Sequence, residues 1–185
     1  MRKSIHNLVL AALFLALGLI LPFFTGQIPQ IGSMLLPMHI PVLICGLLCG
    51  WQYGAIIGFI LPLLRYVLFG MPPIFPTGVA MAFELATYGL VVGALYAHSR
   101  WKCIFALYRS LLIAMVAGRI VWGVAEIVLL GLGGQAFTWQ LFLSGALLTA
   151  VPGIVLQLVF IPALMITLDR TGLVRFSKKT AADAA

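Results

Sequence analysis

Residues 7–24, NLVLAALFLALGLILPFF, make an apolar run without one charged side chain. Stretches of the same character recur through most of the chain. A hydrocarbon core about 30 Å thick takes roughly 20 apolar residues per helical crossing. With 185 residues, 63% of them hydrophobic and 8% charged, the chain lies far outside the composition of a soluble domain. It has room for about six spans and no separate soluble domain. The expected fold is one all-α integral membrane domain over 1–185.

Breaks made by Gly, Pro and charge clusters place the spans at 7–24, 37–50, 53–69, 77–97, 109–131 and 140–168, with a tail over 170–185. The second and third are short and carry Pro37, Pro41, Gly46, Gly50, Gly54, Gly58 and Pro62, a density that predicts irregular or broken helices tolerated only inside a bundle. No internal repeat and no low-complexity linker is evident. The start of the chain has the basic opening and apolar run of a secretory signal, but the run is long enough to cross. FFTGQIPQ after it lacks a small-x-small cleavage site, so it reads as the first span.

Nine of the eleven Lys and Arg fall on one side of this six-span arrangement: Arg2 and Lys3; Arg100, Lys102 and Arg109; Arg170, Arg175, Lys178 and Lys179. The loops at 25–36, 70–76 and 132–139 hold no charge. Both termini are therefore expected in the cytoplasm. The net charge of +7 is explained by this sorting and by attraction to anionic lipid. The basic residues are scattered and no nucleic-acid motif accompanies them, so a nucleic-acid partner is not expected.

The other two basic residues, Arg65 and Arg119, lie inside spans, as do Glu84 and Glu126. An ionisable group at membrane depth costs about 2.5 to 3.5 kcal/mol on insertion scales and normally faces a partner or a wet cavity. Two of each sign either form structural ion pairs that pin helices together or line a polar substrate pocket. Three of the four fall in the outer halves of their spans, which favours the pocket. Arg119 is deeper but shares a helix face with Trp122 and Glu126, and Tyr88 sits one turn from Glu84. The outer loops add Gln27, Gln30, Gln135 and Trp139. Trp139 also suits an interfacial belt and Trp122 a packing role. Together these groups describe an outward-facing pocket for a small polar molecule.

Other chemistries fit poorly. Cys45 and Cys49 are one turn apart with no nearby His in sequence, and Cys103 falls in a cytoplasmic loop, so packing is expected rather than metal binding or a disulfide. His39, in LPMHIP, either touches ligand or satisfies a broken-helix carbonyl. An intramembrane serine protease built on Ser144 and His39 lacks Gly two residues before the serine, where Phe142 stands. No enzymatic activity is expected.

Span one carries Ala12 and Ala16 on one face, the small-xxx-small pattern that lets another helix come close. No GxxxxGK[ST] phosphate loop occurs, so a transporter of this size needs a partner or an ion gradient. At this point the chain resembles the substrate-binding S-components of energy-coupling factor (ECF) vitamin transporters. The resemblance rests on six spans in under 200 residues, the Ala12/Ala16 pair, and the block LLPMHIPVLICGLLCG followed by GFILPLLRYVLFGMPPIFPTGVAMAFELATYG, which is similar to the pantothenate branch. It implies a prokaryotic plasma-membrane protein whose alanine pair contacts a coupling transmembrane subunit. Two partner ATPases spend the ATP, and this chain itself carries no cofactor or metal.

Pantothenate has one carboxylate, two hydroxyls and an amide. Arg65 or Arg119 suits the carboxylate; Glu84, Tyr88 or Gln135 suits the hydroxyls and N–H. A cationic or neutral heterocycle would instead use Glu84 or Glu126 with Trp122 as a stacking wall. Pyridoxine, hydroxymethylpyrimidine, niacin and folate stay open on this reading, as does a stand-alone ion-coupled carrier.

Overall fold

A computed structural model describes residues 2–25, 35–99, 101, 103–132 and 151–171. The main elements among them are helices: α1 (Arg2–Ile20), continued by a 3₁₀ turn (Leu21–Thr25); α2 (His39–Cys49); α3 (Trp51–Phe69); a π-type turn (Ile74–Gly78) leading into α4 (Val79–His98); α5 (Ile104–Leu132); and α6 (Val151–Arg170). The all-helical membrane class expected from the sequence is the one observed. Five segments are long and apolar enough to cross a bilayer: Ser4–Phe24, Trp51–Phe69, Ile74–His98, Ile104–Gly131 and Val151–Arg170. The beginning of the last expected span, 140–150, lies outside the described residues.

Helix α2 is the exception. Its eleven residues cover about 16 Å, roughly half a hydrocarbon core, and every position but Leu48 is buried. A helix that is apolar all round and enclosed all round belongs to the interior of the bundle. Gly50 separates it from α3 with φ 101°, a conformation that costs a residue with a side chain about 1 to 3 kcal/mol. The interruption expected around residues 37–69 thus falls between α2 and α3, while α3 runs unbroken through Pro62.

Helix α4 packs against α2, α3 and α5, whereas α6 meets α5 and α2. The α2–α3–α4 contact is made by glycine. A methyl group at Gly46 would stand 2.6 Å from the Gly89 carbonyl oxygen; one at Gly54 would stand 2.7 Å from the Gly46 Cα; one at Gly93 would stand 2.7 Å from the Gly46 carbonyl oxygen. Gly58 lies equally close to the Leu85 backbone. Gly54-x-x-x-Gly58 and Gly89-x-x-x-Gly93 are therefore two facing small-residue ridges that bring three backbones together.

Helix α1 turns Ala11, Phe14 and Gly18 inward, while Ala12, Leu13, Ala16, Leu17 and Ile20 lie on its exposed side. Its C-terminal end is held by Arg65 of α3, whose Nη1 donates to the Leu19 carbonyl at 2.9 Å. That carbonyl is one of the four at a helix C-terminus that lack an intrahelical donor, and the cation also sits at the negative end of the helix dipole. The guanidinium lies 5.6 Å from the ring centroids of both Phe23 and Phe69.

The seam makes a direct prediction. Gly89→Leu forces α3 away from α4 and lowers stability by about 1 to 3 kcal/mol, the scale of core overpacking. Gly131→Ala, where nothing lies within 4 Å, leaves stability unchanged or slightly raised. Thermal melts of the two variants in mild detergent compare them; equal effects would mean that the close packing is not what holds these helices.

Candidate functional site

Glu84 is 1% exposed on the inward face of α4, and three side chains from three helices converge on its Oε1. The Tyr88 hydroxyl, one turn along α4, donates to it at 3.0 Å. Nη1 of Arg119, on α5, stands 3.1 Å away. Nε2 of His39, the first residue of α2, stands 3.6 Å away. The His39 and Tyr88 rings meet edge to face with centroids 5.1 Å apart. Helix α5 comes this close because residue 118 is glycine: a methyl there would lie 2.6 Å from Cδ1 of Tyr88. Gly118 thus seats α5 against the tyrosine ring, and the next residue reaches the carboxylate.

The arrangement obeys the rules for charge in a low-dielectric interior. A buried carboxylate persists when it is paired and its lone pairs are hydrogen-bonded. Glu84 has both an ion pair and a hydroxyl donor. The arginine, by contrast, is only partly used. Its Nε and Nη2 are buried and have no hydrogen-bond partner among the described residues, nor has either ring nitrogen of His39. His39 therefore makes no bond to a backbone carbonyl through its ring among these residues. In a planar guanidinium, the N–H of Nε and one N–H of Nη2 point the same way from one edge, the fork that accepts a carboxylate in two parallel hydrogen bonds.

Of the residues singled out from the sequence, His39, Glu84, Tyr88 and Arg119 come together. Glu126, two turns further along α5, is also buried and lies within Coulombic range of Glu84. Trp122, between Arg119 and Glu126 in the chain, is half-buried and engaged in contacts of its own. Arg65 belongs to the α1 clamp described above. Gln27, Gln30, Gln135, Trp139 and Ser144 lie outside the described residues. The sequence reading passed over Gln157, which is 1% exposed on α6 and whose Nε2 has no partner among the described residues. The signal was present: it is the lone amide in the apolar run GIVLQLVF.

Apolar helices around an enclosed polar cluster define a multi-pass helical membrane protein with an internal polar site. The sequence model of the family described as ECF transporter, substrate-specific component, matches residues 6–165, and the chain belongs to that family. No match was found among curated proteins or among solved structures. Membership makes the chain the substrate-specific membrane subunit of an ECF transporter, a binding component and not an enzyme. Coupling and ATPase subunits and a small substrate are its partners as a member of that family.

Removing one member of a buried ion pair leaves the other uncompensated, at about 3 to 5 kcal/mol. In ligand-free protein, Glu84→Gln is expected to lower stability on that scale, and adding Arg119→Gln to recover more than half of the loss. The double-mutant cycle is read from denaturation in detergent. Additive losses would mean that the two residues do not stabilise each other.

Proposed function

We propose that the chain captures a small water-soluble vitamin bearing a carboxylate, pantothenate before others, from the outer side of the membrane and delivers it inward as part of an ECF importer. The observation that carries this reading is the open Nε/Nη2 edge of Arg119, buried beside a carboxylate that already neutralises the other side of the same guanidinium. Two donors at a fixed spacing in a low-dielectric site favour a planar anion and disfavour a neutral isostere, which would leave them unpaired. Niacin and folate carry the same group and compete within this reading. Glu126, a second acid in the same site with Trp122 one turn away, favours a different ligand, a cationic heterocycle such as a protonated pyridoxine.

The orientation supporting uptake is the one with both termini in the cytoplasm, from the sorting of basic residues. Delivery then depends on the exposed Ala12/Ala16 face of α1, where a coupling subunit's helix can approach closely. Two ATPases supply the energy.

Mass spectrometry of the small molecule that co-purifies in mild detergent names the ligand without prior assumption. Arg119→Lys exchanges the fork for a point charge and is expected to weaken pantothenate binding by about 1.5 to 3 kcal/mol, while Arg65→Lys leaves it nearly unchanged. The reverse ranking in a titration would move the anion site to Arg65. In the assembled complex, replacing Ala12 and Ala16 by Trp is expected to abolish uptake with binding retained; surviving uptake would remove the coupling role from this face.

A further inference from the structure

Helix α6 turns Gly153, Gln157, Ile161 and Met165 into the bundle at four-residue spacing, so the amide of Gln157 occupies the centre of an otherwise apolar stripe. A buried amide donor without a partner is destabilising, and α6 would pack at least as well with a methionine there. Among the described residues α6 packs mainly against α5 and α2, the two that carry Arg119 and His39.

Counting along the helices puts Gln157 close to the depth of the cluster. Asp169 of α6 and Cys103, just before α5, both lie within Coulombic range of Tyr96 in α4, which brings these ends of the three helices near one another. Glu84 is twelve residues from Tyr96, and Gln157 is twelve residues from Asp169. At 1.5 Å per residue each lies about 18 Å along its helix from that end. Arg119 starts about 24 Å from Cys103 by the same count, and helical side chains lean toward the N-terminus, back toward that end, and its Nη1 meets Glu84.

We infer that Gln157 is a second ligand-recognising residue of the Arg119 site, its Nε2 donating to a carbonyl or hydroxyl oxygen of the ligand at a point away from the carboxylate. This inference rests on the reading of Arg119 as the anion fork. It restricts the substrate class to small acids that carry a further uncharged acceptor oxygen, such as an amide carbonyl, and it makes Gln157 the residue that separates them from simple aliphatic acids of the same length.

The test compares the wild-type protein with Gln157→Met, which keeps the side-chain length and removes the amide, and with Gln157→Glu, which keeps the shape and exchanges the donor for an acceptor. Pantothenate is titrated into each, and ligand-free melting is measured alongside. The expected result is a 10- to 100-fold loss of pantothenate affinity in both variants, with Gln157→Met melting at or above the wild-type temperature when empty. Unchanged affinity in Gln157→Met, with wild type binding pantothenate, overturns the inference and leaves the anion fork standing. A lower ligand-free melting temperature for Gln157→Met also overturns it, since the amide is then structural. If wild type does not bind pantothenate, the vitamin assignment fails, and a Gln157→Met protein that melts higher when empty still supports a ligand-directed amide.

Discussion

A carboxylate enclosed in a helix bundle within lipid needs its countercharge and donors already in place, because no solvent is available to supply them. Glu84 meets that requirement with groups from α2, α4 and α5, all directed to one oxygen. The position of α5 on α4 is therefore constrained to within the length of a hydrogen bond, and α2 is held to within about a contact distance of the same oxygen. Much of the rest of the structure serves to hold that geometry.

The glycine ridges do most of the holding. Gly46, Gly54, Gly58, Gly89 and Gly93 let three backbones touch, and backbone contact permits little sliding or rotation compared with contact through flexible side chains. Gly118 performs the same office for α5 against Tyr88. Helix α1, the least enclosed of the long helices, is tied to this frame at its C-terminal end by Arg65. It presents Ala12 and Ala16 outward, and this face is connected to the bundle through the Arg65 clamp, the Asn7 amide donating to the Cys49 carbonyl, and the inward packing of Ala11 and Phe14. Among the described residues, Arg119 and Gln157 keep buried donors without hydrogen-bond partners, the pattern expected where stability is given up for recognition.

The long spans and the helical membrane class were legible because lipid imposes hydrophobicity and length directly on the sequence. Glu84 stood out as a lone charge in an apolar run, and its neighbour Tyr88 followed from the helical repeat. The choice between Arg65 and Arg119 as its partner was not legible. Both lie far from Glu84 in sequence, and only the packing of α3 and α5 on α4 decides which reaches it. The separate role of Arg65 depends on where α1 ends, which no local pattern announces. Helix α2 read as a short crossing because its composition is that of a span; that it is a half-length helix buried on all sides follows from tertiary enclosure. Gln157 was passed over because attention to formal charge overlooks an uncharged amide, although in an apolar helix an amide also needs a partner.

On the proposed reading, the Nε/Nη2 edge of Arg119 receives the carboxylate of the ligand. Pantothenol, in which an alcohol replaces the acid of pantothenate and the rest of the molecule is kept, isolates that group. Calorimetric titration of both into the detergent-solubilised wild-type protein is expected to show pantothenate binding about 10- to 100-fold more tightly, the worth of a charge-assisted pair of hydrogen bonds. Equal affinities, or a preference for pantothenol, would contradict it.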